Sequence, residues 1–491
     1  MRQQDRSIAP MDGSPNLAKR IGLWLGPAAA STLLLIGAPD GLGFAAWATA
    51  ALMIWMAVWW ATEPIPIPVT SLLPLVIIPL IGAGTTRDAA MGYSHPIVML
   101  LLGGFIIALG IERWGLHKRI ALNIVSRVGS HPAALIFGFM IATALLSMWI
   151  SNTATTLMMV PIALSAATAL KDDSGKFVVA LLLGVCYAAS IGGVATPIGT
   201  PTNLIAINWL EENTGATIGY AQWMGFGLPA MVILVPLAWW AVTRGLPHLA
   251  NASAALEEVE RQKTALGSIS KPEARAAMVF GVVASLWVLR VPAQLSARDA
   301  GLELPWLMAV SDMGIAIAGA AAMFLVPAGG DKKRAILNWN EAVKLPWGVL
   351  ILFGGGISLG QAVTRTGLST WIGDQLATLS VLPPIFFIAV VVALVIFLTE
   401  LTSNVATMTT LAPILGVLAG AVGAAPESLL APAAVAASCA FMLPVATAPN
   451  AIIYATDKVP IAMMISRGLR INLIGIAVIT AIGFWLAPMV L

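Results

Sequence analysis

The chain alternates between long apolar segments and short polar connections. A helix needs about 20 mainly apolar residues to cross the hydrocarbon core of a bilayer, and eleven segments meet this requirement. They lie near residues 21–38, 43–61, 66–84, 96–112, 177–207, 223–243, 276–296, 303–327, 345–364, 428–456 and 468–490. The pattern predicts eleven transmembrane helices.

Two further apolar regions, 132–170 and 382–422, are each interrupted near the middle by uncharged polar residues. The interruptions read ISNTATT from Ile150 and TSNVATM from Thr402. Each region is long enough for two passes, or for a re-entrant hairpin that enters and leaves on one side. Non-helical backbone at membrane depth is tolerated only where protein buries it or where it lines a watery cavity. The interruptions therefore predict hairpin tips that meet at a site.

The positions of Lys and Arg favour hairpins that do not cross. With a cytoplasmic N-terminus, this topology places nearly all of the 26 Lys and Arg residues inside, as is typical of cytoplasmic loops. The exceptions are Arg87, Arg290, Arg298 and Arg365. We therefore expect a cytoplasmic N-terminal segment 1–20, a first transmembrane helix 21–38 and a cytoplasmic linker 244–275.

Residues 43–243 and 276–491 carry the same motifs in the same order. An offset of 252 residues superimposes the two polar interruptions, and an offset of 247 aligns TPIGTPTN with LPVATAPN. The topology places Arg113 inside and its partner Arg365 outside, so the two halves are inverted repeats, with an inner hairpin in the first and an outer hairpin in the second. Inverted repeats with interrupted helices are typical of secondary transporters, whose sites lie near the membrane midplane.

Composition supports a membrane protein and limits the alternatives. Of the 491 residues, 59% are hydrophobic and 10% are charged, and the mean hydropathy is +0.90, which indicates an all-α polytopic membrane protein. The net charge of +3 gives no indication of nucleic-acid binding. Cys186 and Cys439 lie in apolar stretches, where a thiol most often acts as a small hydrophobe.

The polar side chains at the predicted tips are neutral. Asn152 and Asn404 offer amide donors and acceptors, and the neighbouring Ser and Thr residues offer hydroxyls. Helix ends at such a break add unpaired N–H groups that attract anions, and carbonyl oxygens that bind small cations. An intramembrane enzyme needs a nucleophile with a base, or a metal set, and the sequence indicates neither at membrane depth. A channel is disfavoured because two inverted broken hairpins favour alternating access.

Four motifs together resemble the divalent anion:sodium symporter family. They read SMWISNTATT from Ser147, TELTSNVAT from Thr399, GVATPIGTPTN from Gly193 and MLPVATAPNAIIYAT from Met442. The resemblance implies eleven transmembrane helices plus two re-entrant hairpins, a homodimer with scaffold and transport domains, and elevator-type movement in the lipid bilayer. It also implies co-transported sodium, an anionic substrate, and no organic cofactor. A bacterial inner membrane is the expected location.

The resemblance also implies a role for particular residues. The first sodium site uses Ser147, Ser151, Asn152 and the backbone at Gly199. The second uses Thr399, Ser403, Asn404 and the backbone at Ala446. The substrate-binding residues it implies are Asn152, Thr153, Thr200, Asn404 and Thr447. Two positions depart from the family pattern, because Val405 has no hydroxyl where Thr153 has one, and Ala448 replaces a proline found in some relatives.

Several readings of the transport activity stay open. The main one is sodium-coupled uptake of a dicarboxylate or tricarboxylate such as succinate, malate or fumarate. A sodium-independent dicarboxylate exchanger, a sulfate or citrate transporter and a sodium/proton antiporter are the alternatives. Proton coupling requires an ionisable group near the midplane, and Glu400 is the candidate near the site. A structural role is favoured for this carboxylate.

Overall fold

In the computed structural model, residues 17–170, 172, 174–246, 252–302, 304–329, 334–376 and 383–491 are described. Within these ranges the secondary structure is helical, apart from one isolated bridge between Pro327 and Ala335. The predicted all-α class is therefore confirmed. Most of the predicted N-terminal segment 1–20, part of the predicted linker 244–275 and residue 382 of the predicted outer hairpin lie outside the described residues.

The helices follow one another with short connections. The first half contains α1 (Leu17–Ile36), α2 (Phe44–Thr62), α3 (Ile67–Thr70), α4 (Leu73–Leu80), α5 (Thr86–Met91), α6 (Pro96–Arg113), α7 (Leu116–Val125), α8 (Pro132–Ser147), α9 (Asn152–Leu170), α10 (Lys176–Gly193), α11 (Pro201–Thr214) and α12 (Tyr220–Thr243). The rest contains α13 (Ser253–Ala265), α14 (Lys271–Asp299), α15 (Pro305–Met308), α16 (Asp312–Leu325), α17 (Trp339–Ala342), α18 (Trp347–Arg365), α19 (Leu368–Leu376), α20 (Pro384–Thr399), α21 (Asn404–Ala421), α22 (Glu427–Ala437), α23 (Ala448–Tyr454), α24 (Ile461–Trp485) and α25 (Ala487–Val490).

Eight helical stretches among the described residues are long and apolar enough to cross a membrane. They are Phe44–Thr62, Thr86–Arg113, Asn152–Leu170, Lys176–Gly193, Tyr220–Thr243, Lys271–Asp299, Trp347–Arg365 and Ile461–Val490. Helices α8 and α20 are apolar but have only 16 residues each, fewer than the about 20 that a span needs. The chain is a polytopic membrane protein, and its total of eleven spans stays a prediction.

Helix boundaries repeat between the two halves. Helices α8 and α20 end at Ser147 and Thr399, and α9 and α21 begin at Asn152 and Asn404. Both pairs of positions differ by 252 residues, the offset that aligns the motifs. Each polar interruption therefore forms a short connection between two apolar helices, because its residues satisfy helix ends better than they continue a helix.

Two segments that the hydrophobic pattern presents as continuous spans are broken. Region 177–207 divides into α10 and α11, and region 428–456 divides into α22 and α23. Proline occupies the first turn of both α11 and α23, where its missing N–H costs nothing, whereas a proline inside a helix removes a hydrogen bond. Hydropathy does not register these breaks because the interrupting residues are themselves mostly small and apolar.

The two broken helices lie at the centre of equivalent clusters. Helix α10 packs against α8, α9 and α12, and α22 packs against α20, α21 and α24. Both are almost completely buried along their lengths. Contacts also cross between the halves, since α9 packs against α23 and α11 packs against α21. The two hairpin tips and the two helix breaks consequently belong to one packed unit.

Candidate functional site

The first hairpin tip contains a compact cluster of oxygen atoms. Ser147, the last residue of α8, is fully buried. Its Oγ lies 2.8 Å from Asn152 Oδ1 and 2.7 Å from the carbonyl oxygen of Ala189 on α10. The tip of the hairpin is therefore joined to the helix that precedes the first break.

The second hairpin tip repeats this cluster atom for atom. Thr399, the last residue of α20, is also fully buried. Its Oγ1 lies 2.8 Å from Asn404 Oδ1 and 2.9 Å from the carbonyl oxygen of Ala437 on α22. A hydroxyl, an amide oxygen and a carbonyl oxygen thus meet in the same way in both halves.

Each cluster has more hydrogen-bond acceptor oxygens than hydrogen atoms available to donate to them. The hydroxyl carries one hydrogen, so it donates to one of its two oxygen neighbours, and neither neighbouring oxygen carries a hydrogen of its own. Hard cations prefer oxygen ligands, and amide and backbone carbonyl oxygens are among them. The geometry is suited to a small cation at each tip.

The first helix break is held closed by Asn203. Its Nδ2 donates to the carbonyl oxygens of Gly193, Val194 and Thr196 at 3.0, 3.3 and 2.8 Å. Gly193 also faces the hairpin tip, because a Cβ built at this position lies 2.5 Å from Asn152 Oδ1 and 3.1 Å from the carbonyl oxygen of Gly199. Asn152 and Gly199, two residues of the predicted first cation site, therefore converge on Gly193.

The second helix break is held by Asn450 in the same manner. Its Nδ2 donates to the carbonyl oxygens of Ala440 and Leu443 at 2.9 and 2.8 Å. The carbonyl of Leu443 also accepts a hydrogen bond from the backbone of Ala446 at 3.2 Å, the residue predicted to contribute its backbone to the second cation site. The broken segments are ordered by side-chain amides rather than by helical hydrogen bonds.

Buried polar groups connect the helices next to the first break with the second broken segment. The hydroxyl oxygens of Thr202 and Ser438 lie 3.0 Å apart, and Cys186 Sγ donates to Asn450 Oδ1 at 2.9 Å. Tyr187 also donates from its hydroxyl to the carbonyl oxygen of Phe441 at 3.0 Å. These contacts bring together residues that are more than 200 positions apart in the chain.

Some predicted site residues lie at the surface of the tips. Ser151 and Thr153 are exposed, and Ser151 Oγ accepts a hydrogen bond from the backbone of Ala154 at 3.3 Å. Ser403 is half-buried and directly precedes α21. Exposed hydroxyls at a hairpin tip are placed to meet a ligand that arrives from solvent.

The predicted threonines of the breaks each precede a helix. Thr200 is almost fully buried and directly precedes α11. Thr447 is half-buried, and its hydroxyl accepts from the backbone of Asn450 at 3.2 Å. Both are therefore ordered parts of the breaks, although the structure gives no direct contact between these threonines and Asn152 or Asn404.

Glu400 lies beside the second cluster, directly after Thr399. The residue is 3% exposed, and its carboxylate accepts hydrogen bonds from the backbone of Phe441, Met442 and Leu443. The Asn472 side chain on α24 donates to the same carboxylate at 2.8 Å. This geometry supports the structural role expected for Glu400.

Several residues that complete or support the two clusters and the helix breaks are not among the predicted site residues. They are Ala189 and Ala437, which add carbonyl oxygens, and Asn203, Asn450 and Asn472, which hold backbone or carboxylate groups. Asn203 and Asn450 could have been found, because they pair at the 247-residue offset. Alanine carbonyls and Asn472 carry no sequence signal, since only packing brings them to the tips.

Solved structures of two other transporters have a similar fold. The YdaH transporter of Alcanivorax borkumensis matches with a TM-score of 0.58 and 15% identity, covering 97% of this chain and 99% of that one. MtrF of Neisseria gonorrhoeae matches with a TM-score of 0.58 and 15% identity, covering 96% and 98%. At this level of identity the likeness concerns the fold alone.

Sequence comparison gives closer relatives. The chain is 39% identical over 492 residues to the sodium-dependent dicarboxylate transporter SdcS of Staphylococcus saprophyticus, covering 97% of this chain and 93% of the relative. It is 38% identical over 488 residues to SdcS of Staphylococcus aureus, covering 96% and 92%. The family model described as the sodium:sulfate symporter transmembrane region matches residues 18–491. The chain therefore belongs to the divalent anion:sodium symporter family, as its four motifs indicate.

Proposed function

We propose that this protein is a secondary active transporter that couples the uptake of a dicarboxylate to sodium ions. The observation that carries the proposal is the duplicated cluster of hydroxyl, amide and carbonyl oxygens at Ser147 and Thr399. Two equivalent clusters suit two small cations, so at least two sodium ions accompany each substrate. The names of the staphylococcal relatives support both the sodium dependence and the dicarboxylate.

The first sodium ion binds Ser147, Ser151, Asn152 and the backbone at Gly199, and the second binds Thr399, Ser403, Asn404 and the backbone at Ala446. The substrate carboxylates meet Asn152, Thr153, Thr200, Asn404 and Thr447. Asn152 and Asn404 serve both, since an amide offers an oxygen to the cation and an N–H to the anion. Sodium bound at each tip offsets the substrate charge without ionised side chains, which are costly at membrane depth.

The hairpins are re-entrant in this proposal. Helices α8 and α20, with 16 residues each, are about 24 Å long at the rise of an α-helix, and each ends in a polar tip instead of continuing across the membrane. The N-terminus is cytoplasmic, and the protein is a homodimer in the bacterial inner membrane with elevator-type movement. These features follow the family resemblance and the distribution of Lys and Arg.

Uptake of labelled succinate into proteoliposomes tests the function. We expect an inward sodium gradient to accelerate uptake, and replacement of sodium by choline to abolish it. Uptake that is indifferent to sodium but is accelerated by internal dicarboxylate would identify an exchanger. Competition by unlabelled citrate and sulfate in the same assay distinguishes the anions that the family carries.

A further inference from the structure

The carboxylate of Glu400 connects the two elements that form the second oxygen cluster. It directly follows Thr399, the last residue of hairpin helix α20. Its two oxygens accept from three consecutive backbone N–H groups in the second break, those of Phe441, Met442 and Leu443, at 2.8 to 3.1 Å. The hairpin that supplies the hydroxyl is thereby tied to the segment that follows the Ala437 carbonyl.

Glu400 acts only as a hydrogen-bond acceptor, which is the role of an ionised carboxylate. Within the described part of the chain it has no ion-pair partner, and the amide of Asn472 is its only side-chain donor. Consecutive N–H groups form a concave site that stabilises negative charge through their dipoles. The negative charge is therefore solvated by backbone N–H groups and has no compensating cation among the described residues.

The equivalent position in the first half has no charge. An offset of 252 residues pairs Glu400 with Met148. There the hydroxyl of Thr196 in the first break donates to the Met148 carbonyl oxygen, so a neutral hydrogen bond takes the place of the carboxylate. The two clusters have the same kinds of oxygen, but among the described residues only the second has a buried negative charge beside it.

We propose that Glu400 is a positioning residue that makes the two cation sites unequal, with the second site binding sodium more tightly than the first. The inference rests on the proposed function, because it takes the two clusters as sodium sites. Glu400 fixes the hairpin against the break, so that Thr399, Asn404 and the Ala437 carbonyl keep their spacing. Its charge also attracts a cation next to it, and this attraction is strong where water is excluded.

The inference is tested by measuring sodium binding in the absence of substrate. Sodium replaces choline stepwise, and the rise in the melting temperature of the purified protein reports the binding. S147A removes a ligand of the first sodium site and keeps the second site intact. T399A removes a ligand of the second site and keeps the first intact. We expect E400Q to raise the sodium concentration for half-maximal stabilisation about ten-fold in the S147A background, a change of about 1.4 kcal/mol. In the T399A background, E400Q should produce no further shift. Asn472→Ala keeps the charge and the backbone donors, so its shift should be smaller.

A role in folding alone would lower the melting temperature in choline and leave the half-maximal sodium concentration unchanged, which would overturn the inference. Equal shifts in both backgrounds would also overturn it. If E400Q does not fold, the S147A and T399A variants still test the inference. The half-maximal sodium concentration must then be lower for S147A, which keeps the second site, than for T399A, which keeps the first. Wild-type uptake is measured in parallel. If uptake by the wild-type protein does not depend on sodium, the proposed function is refuted. If wild-type uptake is driven by sodium but E400Q has no site-selective effect, only this inference is refuted.

Discussion

Asn203 and Asn450 occupy equivalent places in the two halves of the chain. Each donates from its side-chain amide to two carbonyl oxygens at a helix break, at 3.0 and 2.8 Å for Asn203 and at 2.9 and 2.8 Å for Asn450. Because a break leaves helix-end carbonyls without helical partners, these amides replace the missing donors. Both residues are fully buried.

The first prediction concerns these amides. Asn203→Asp and Asn450→Asp keep the shape but place an acceptor against carbonyl oxygens, and an unsatisfied buried group costs about 1 to 3 kcal/mol, more when it is charged. We expect both variants to lose transport and to melt several degrees lower than wild type. Asn213→Asp, at an exposed position on α11, is the control and should change stability by less than about 0.5 kcal/mol. Normal melting of both buried variants would contradict the role of these amides.

The second prediction concerns the space beside the first tip. A Cβ at Gly193 lies 2.5 Å from Asn152 Oδ1, so Gly193→Ala must displace the Asn152 side chain or the break. We expect a lower apparent affinity for sodium, measured as the sodium dependence of succinate uptake. Gly281→Ala is the matched control on α14, because its Cβ meets nothing within 4 Å and alanine is favoured in helices by up to about 1 kcal/mol. If Gly193→Ala and Gly281→Ala show the same sodium dependence of uptake, Gly193 does not contribute to the sodium site.

The third prediction concerns the shared amides at the tips. Asn152→Ala and Asn404→Ala remove a ligand from both sodium and substrate, and a hydrogen bond to a charged group is worth about 1.5 to 3 kcal/mol, or about one to two decades in affinity. Both apparent affinities should therefore fall together. Thr153→Ala should mainly weaken substrate binding, and Ser147→Ala should mainly weaken sodium binding. Uptake at varied sodium and succinate separates these effects, after surface expression has been verified. Unchanged transport in both asparagine variants would exclude a shared site.

The fourth prediction concerns topology. Ser174 and Ser268 should be cytoplasmic, and Ala216 and Ala425 external. Single cysteines at these positions, in a protein with Cys186 and Cys439 replaced, report the side through a membrane-impermeant thiol reagent applied to intact cells. Serine is the suitable replacement for Cys186, because a hydroxyl preserves the donor to Asn450 Oδ1. Labelling at Ser268 with none at Ala216 would reverse the proposed orientation.

The fifth prediction concerns an ion-pair cluster outside the membrane spans. Glu341 on α17 accepts from Arg113 Nε and Arg334 Nη2, both at 2.6 Å. Burial alone would raise the pKa of Glu341, but hydrogen bonds from Arg334 and Arg113 outweigh it and hold the pKa at about 2. Because the folded-state pKa lies below the ordinary value of 4.5, the stabilisation is complete above about pH 4.5 and is lost as the pH falls toward 2.

Glu341→Gln should therefore melt below wild type at pH 7, and the difference should shrink as the pH is lowered from about 4.5 toward 2. The difference is measured from the melting temperatures of the purified variant and wild-type proteins across this pH range. Glu257→Gln is the control, since Glu257 is exposed and forms no ion pair with the described residues. A difference between Glu341→Gln and wild type that stays constant with pH would show that the ion pairs are not its cause.

The sequence by itself determined the class of protein and predicted the place of the site. Apolar segment length depends only on local composition, so an all-α membrane protein follows from it. The polar interruptions repeat at 252 residues and pair Asn152 with Asn404. The family resemblance added Ser147 and Thr399, which the structure places in contact with Asn152 and Asn404. Each contacting pair is only five residues apart, so the short connection between the two helices already keeps its members near each other.

Only the tertiary structure decided what surrounds those pairs. The carbonyls of Ala189 and Ala437 reach the tips from other helices, 42 and 38 residues away in the chain. Glu400 finds its donors 41 to 72 residues away, and Thr202 meets Ser438 across 236 residues. Such contacts depend on how whole helices pack, which no local pattern of residues encodes. For the same reason the sequence left the role of Glu400 open, whereas the packed break supplies the backbone donors that hold its carboxylate.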